Sequence, residues 1–133
     1  MKFIFAAMVG FFCLPLCAQT QSTVPSSSVV VYKQIGDIKL NATIYYPEDH
    51  KPSDKRAAIV FFFGGGWRTG TPTQFTEHCK YLAGRGMVAI TADYRVSSRH
   101  GTAADCCVAD AKSAVRWMRR SASQLGIDAE RIV

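Results

Sequence analysis

Three consecutive glycines, Gly64-Gly65-Gly66, follow directly on the apolar run Ala57-Ala58-Ile59-Val60-Phe61-Phe62-Phe63, and this junction is where the sequence can do chemistry. An apolar run without alternation fits a strand covered on both faces. Glycines at its end leave backbone N–H groups open to close approach. They stand at the carboxyl edge of a sheet, where ligands bind in open α/β folds. Two such amides can hold the oxyanion that forms when a nucleophile attacks a carbonyl, a stabilisation worth about 3 to 4 kcal/mol per donor. Glycine-rich turns also bind phosphates, but the chain has no G-x-x-x-x-G-K-[ST], and the glycines do not complete a dinucleotide fingerprint. A tight turn of purely structural purpose is the alternative reading of the triplet.

The flanking elements must place that turn. Val29-Val30-Val31-Tyr32 reads as a strand, Gly36-Asp37 as a turn, and the alternation of Ile38, Leu40, Ala42, Ile44 and Tyr46 with polar neighbours as the second arm of an antiparallel hairpin. After a charged loop over 47–55 and the strand at 57–63, Pro72 opens a helix in which Phe75, Cys79 and Leu82 recur at helical spacing, closed by Gly84 and Gly86. Residues 87–92 form a second buried strand with Asp93-Tyr94-Arg95 at its carboxyl end, followed by a loop to Thr102. From 103 to about 123 the stripe Ala104, Val108, Ala111, Val115 and Met118 predicts an amphipathic helix, ended by Gly126. Residues 127–133 predict a tight turn entering another buried strand. The pattern is α/β, a mostly parallel sheet with right-handed crossovers and an N-terminal antiparallel hairpin.

Composition bounds the rest. Lys2 and the apolar stretch 3–16 have the layout of a secretory signal peptide, too short for a comfortable membrane span, and Ala18 suits the position before a cut. The expected organisation is a signal peptide at 1–18, a flexible leader at 19–27 and one α/β domain at 28–133, with a periplasmic or secreted location and no stable membrane insertion after cleavage. A lipoprotein modified at Cys17 is disfavoured by the bulk of Leu16. The net charge of +6 is spread among acids, and its densest patch, Lys112, Arg116, Arg119 and Arg120, fits the solvated face of a helix, so no nucleic-acid partner is expected. Cys79, Cys106 and Cys107 allow one disulfide and a leftover thiol. They form no ligand-spaced pair with His78 or His100, so no metal and no cofactor is expected.

Phe61-Phe62-Phe63-Gly64-Gly65-Gly66-Trp67 resembles the His-Gly-Gly-Gly-Trp segment of α/β-hydrolases in the hormone-sensitive-lipase and feruloyl-esterase-like groups. Three further segments are similar to theirs in the same order: residues 82–88 with Asp93-Tyr94-Arg95, the helix at 110–117, and 125–133. The resemblance implies an α/β-hydrolase fold, with Gly65 and Gly66 as oxyanion donors, and with Gly64, which shapes the turn, and Trp67 as substrate-binding residues. It implies structural roles for Asp93, Tyr94, Arg95 and Asp110, with Arg95 and Asp110 as an ion pair, and no catalytic role for His78 or His100. Phe63 stands where many relatives carry histidine, which puts in question how the loop is held.

In such enzymes the nucleophile sits in a G-x-S-x-G elbow with its acid and histidine later in the chain, and none of the three occurs in these residues. The sequence is therefore expected to be the N-terminal part of a serine-type carboxylic-ester hydrolase, truncated before the elbow. Its substrates would be small-molecule or polysaccharide-linked esters, acyl groups on plant polysaccharide among them. The alternatives are a non-catalytic binding or remnant protein that keeps only the oxyanion half of the site, or a peptidase or lactonase of the same fold.

Overall fold

The computed structural model describes residues 26–133; the expected signal peptide and nearly all of the expected leader lie outside the described residues. β1 (Ser27–Ile35) and β2 (Ile38–Tyr45) form the predicted antiparallel hairpin. β3 (Arg56–Phe62), β4 (Val88–Ala92) and β5 (Ile127–Ile132) complete a five-stranded sheet of order β1-β2-β4-β3-β5. β4 pairs antiparallel with β2 and parallel with β3, and β3 pairs parallel with β5. The glycine triplet thus leaves the sheet from β3, an inner strand flanked by two parallel neighbours.

Both faces of β4 are covered, as its unbroken apolar run requires, whereas β3 buries only Ala58 and its other residues stay half-buried. Pro72–Phe75 forms a 3₁₀ turn that leads into α1 (Thr76–Ala83), whose Cys79 and Ala83 pack with Tyr45 and Ala89 on one face. On the other face α3 (Ala104–Arg120) sets Ala114 and Met118 against Leu40, Ile44, Ala58, Val88 and Ile90. Alternate residues of β4 serve the two layers, and all five are buried.

The buried stripe of α3 differs from the one the apolar residues predict. Cys107, Asp110, Ala114 and Met118 face the sheet, whereas Ala104 and Val108 are exposed. The helix is turned by its one buried charge: Asp110 is bound by groups under the helix, and the apolar count treats aspartate as an outward residue. Lys112, Arg116, Arg119 and Arg120 lie exposed on the outer side, as their spacing predicts.

Two irregularities matter for the site. In β1 the register shifts between Val31, opposite Asn41, and Lys33, opposite Leu40, so Tyr32 is the extra residue of a β-bulge. A bulge breaks the strict alternation of faces, and here it sends Tyr32 and Lys33 together toward α3. The expected loop from 96 to 102 also contains a single helical turn, α2 (Ser97–His100), closed by Gly101 in the left-handed region.

Past α3, the short α4 (Ala122–Leu125) ends at Gly126, also left-handed, where a side chain would collide with His50 and the Lys51 carbonyl. The predicted turn at the start of the last strand is present inside β5. Ile127 pairs with Arg56 and Ile132 with Ala58, and the residues between loop out of register while the Asp128 carboxylate accepts the Glu130 N–H.

Candidate active site

The chain leaves β3 through Phe63 and then makes a turn from Gly65 to Arg68, in which the Gly65 carbonyl accepts the N–H groups of Arg68 (3.1 Å) and Thr69 (3.3 Å). Its two central residues, Gly66 and Trp67, both have φ of 61°. A turn with both central residues in the left-handed region is cheap for glycine, while at Trp67 it costs about 1 to 2 kcal/mol. Gly65, at φ 142°, has no room for a side chain: a Cβ would be driven into the Thr69 carbonyl. At Gly70 (φ 113°) it would meet the Gly64 carbonyl and the Phe63 ring. Gly66, by contrast, faces open space.

The three amides of the triplet are not equivalent. The Gly64 N–H is spent on Gln74 Oε1 at 2.6 Å, so Gly64 offers a ligand no donor. Among the described residues the Gly65 and Gly66 N–H groups donate to nothing. Two adjacent unspent donors at the carboxyl end of a parallel strand can bind an anion or a developing oxyanion.

The segment after β4 holds this loop in place. The Tyr94 phenol donates a hydrogen bond to the Phe63 carbonyl, and the two rings stack with centroids 4.1 Å apart and planes 14° apart. Trp67 and Arg68 present their carbonyls to the N–H groups of Ser97 (3.2 Å) and Ser98 (3.0 Å), the first residues of α2. The Arg99 guanidinium lies 5.7 Å from the centre of the Phe63 ring and makes a two-pronged pair with Asp93, at 2.7 and 3.0 Å. How a phenylalanine holds the loop thus has a physical answer: its ring is clamped between Tyr94 and Gly70, and its backbone supplies the polar contact.

Beneath this segment lies the expected Arg95–Asp110 pair, with a third member. Asp110 is wholly buried and accepts from Arg95 Nε (2.7 Å), a second guanidinium nitrogen of Arg95 (3.0 Å), the Arg95 backbone N–H (3.1 Å) and Lys33 Nζ (2.7 Å). Burial pushes its carboxyl upward, but the hydrogen bonds from Arg95 and Lys33 outweigh this and hold it below the usual carboxylate range. Tyr32 donates to the Asp93 carbonyl at 2.6 Å. Burial raises the Tyr94 phenol above its ordinary value.

Trp67 keeps its backbone in the turn while its side chain is 55% exposed. With Phe62, Phe63, Tyr94 and Cys107 it borders a crevice of about 210 Å³ beside the glycines. His78 lies on α1 against Phe61 and Phe75, and His100 uses Nδ1 to accept the Val96 N–H within α2. Neither touches the glycine loop. Cys79, Cys106 and Cys107, the cysteines among the described residues, are all free. Burial pushes the Cys79 thiol up to about 12, and Cys107, also raised by burial, donates to the Arg95 carbonyl. Among the described residues no three His, Cys, Asp or Glu side chains could share a metal ion, no serine hydroxyl bonds a histidine, and no helix is long and apolar enough to cross a membrane.

Gln74, Tyr32, Lys33, Arg99 and Gly70 were not marked by sequence patterns as part of this assembly. Only Gly70 carried a trace, as a glycine close after the triplet; the other four act through contacts that folding alone creates.

The BD-FAE family model matches residues 42–133. The thermophilic esterase Est2 of the planctomycete Thermogutta terrifontis is 56% identical and similar in structure, with a TM-score of 0.79, over 81% of this chain and 39% of its own. That esterase has also been solved with propionate and with butyrate bound, and phosphorylated by paraoxon. An ethyl acetate hydrolase of Pseudomonas putida is 34% identical over 70% of this chain and 29% of its own length. A methylphloroacetophenone synthase of Cladonia uncialis is 31% identical over 66% of this chain and 4% of its own length. The chain thus spans well under half of each of these proteins. With the sheet order, the glycine loop and the match over residues 42–133 in agreement, the chain has the α/β-hydrolase fold and belongs to the BD-FAE family.

Proposed function

We propose that the protein containing this chain is a serine-type carboxylic-ester hydrolase in which Gly65 and Gly66 donate their N–H groups to the oxyanion. The observation that carries this reading is the pair of unspent amides, next to a Gly64 amide that is already occupied. A nucleophilic serine, with its histidine and acid, comes from outside residues 26–133. Its hydroxyl attacks the ester carbonyl as the histidine takes the proton, and the carbonyl oxygen becomes an anion between the two glycine N–H groups. Collapse of the tetrahedral intermediate expels the alcohol with that proton, and water then releases the acid from the acyl-enzyme by the same steps.

The acyl group is short, a reading supported by the propionate and butyrate complexes of the similar Est2 esterase. The lysine-led apolar N-terminus supports export to the periplasm or beyond, where acylated polysaccharide is a natural ester carrier. The test is hydrolysis by the natural full-length polypeptide of p-nitrophenyl acetate, butyrate and octanoate, and of acetylated xylan. Acetate and butyrate esters are expected to be cleaved faster than octanoate, with acetate released from the xylan. Absence of turnover on every ester, with the protein folded, would overturn the carboxylic-ester-hydrolase reading.

A further inference from the structure

We infer that Tyr94 and Gln74 act together as positioning residues for the two glycine donors, by gripping opposite edges of one peptide group. The peptide between Phe63 and Gly64 presents its carbonyl to the Tyr94 phenol and its N–H to Gln74 Oε1. In a trans peptide these two atoms point in opposite directions from a rigid plane. A plane bonded at only one edge can still swing about its flanking Cα atoms; bonded at both, it cannot.

This plane is the last one before the donors. From it the chain passes through Gly64 and Gly65, residues with no side chain to restrict rotation, to the N–H groups of Gly65 and Gly66. Errors in the plane's orientation are therefore carried into the direction of both donors. The far side of the turn is tied by Ser97 and Ser98 to the carbonyls of Trp67 and Arg68, but those bonds lie beyond the donors and do not fix the approach to them. Phe63 has no polar side-chain atom that could serve instead.

The two grips come from different layers. Tyr94 is 6% exposed and follows β4, its own N–H held by the Asp93 carboxylate at 2.8 Å. Gln74 is exposed and belongs to the 3₁₀ turn ahead of α1. The donors are thus aimed from β4 and from the approach to α1 at once, and their direction records how these two elements sit against β3.

The inference rests on the ester-hydrolase reading for its catalytic consequence, so its test has two readouts. In the natural full-length protein labelled with ¹⁵N-glycine, Gly64 amide exchange is measured in the wild type and in Tyr94→Phe. That variant keeps the ring stack and never touched the Gly64 N–H. Exchange at Gly64 is expected to speed up on the order of 10-fold, as it would for a hydrogen bond weakened by roughly 1.4 kcal/mol through the shared plane.

The second readout is turnover of p-nitrophenyl acetate per active site titrated with paraoxon. For Tyr94→Phe and Gln74→Ala, kcat is expected to fall on the order of 10-fold with KM little changed, short of the roughly 100-fold that a full 1 Å misplacement costs. Unaltered Gly64 exchange in Tyr94→Phe overturns the coupling, and so does unaltered kcat per titrated site in both variants of an active enzyme. A wild type without esterase activity but with the Gly64 response intact defeats the hydrolase reading and leaves the shared-plane grip standing.

Discussion

The segments that follow β3 and β4 leave the sheet side by side and are built in opposite ways. The glycine loop after β3 has positive φ at Gly65, Gly66, Trp67 and Gly70, and it leaves two backbone donors unspent. The segment from Asp93 to His100 has no residue of positive φ, and it is tied down by Tyr32, Asp110, the Asp93–Arg99 pair and the backbone of Asn41. One loop carries strain and open valences; the other is saturated with partners. The contrast teaches how a strained conformation persists: strained residues survive where surrounding structure over-determines them, and here the surplus of bonds lies one strand away from the strain.

Breaking the saturated side should have the largest effect. Asp110→Ala removes a buried carboxylate and leaves the half-buried Arg95 and Lys33 without their partner, and is expected to cost about 3 to 5 kcal/mol of stability, read from the urea midpoint. The same group gives the comparison a pH test. Because the folded carboxyl lies below its ordinary value, its contribution is complete above the unfolded value of about 4 and is lost as pH falls through the folded one. Urea midpoints should therefore drop as pH is lowered below about 4, and Asp110→Asn should flatten that part of the curve.

On the strained side, Gly65→Ala should come next, because its new methyl meets the Thr69 carbonyl and displaces a donor. A kcat loss of about 10² to 10³ in the full-length enzyme is expected, the range for a lost oxyanion donor. Gly66→Ala has free space and only the left-handed penalty, so about 1 to 2 kcal/mol of stability should be lost, with a smaller kcat change. If Ala at 65 and at 66 behave alike in kcat, steric exclusion at Gly65 is not what separates them. Smallest should be Trp67→Gly, which relieves a left-handed tryptophan and is expected to raise the melting temperature by the equivalent of about 1 kcal/mol or less.

Much of this architecture was legible in the sequence because its elements follow simple periods. Alternation from Ile38 to Tyr46 gave the hairpin arm, and the continuous runs at 57–63 and 87–92 gave the strands β3 and β4, though only β4 is buried on both faces. The glycine triplet and the Arg95–Asp110 pair could also be named in advance. What stayed hidden depends on contacts far apart along the chain. The face of α3 was misjudged because Asp110, polar by type, is wholly buried. The bulge at Tyr32 leaves no mark on a β-branched run. Gln74 reads as an ordinary polar residue in a first turn, and nothing local says that the Gly64 amide will find it.

The bulge in β1 also bears on the order in which the molecule assembles. Tyr32 and Lys33 reach Asp110 across 78 and 77 positions of sequence, and Tyr32 reaches Asp93 across 61. Loops of that span close late, since their entropy is lost before their contacts are gained. At synthesis rates of about 5 to 20 residues per second, Lys33 waits roughly 4 to 15 s before its partner exists. On that count the hairpin is expected to form early and to reach its partners on α3 late. Damage to it should appear in refolding as a delayed return of the native fold, even in variants whose final stability is unchanged.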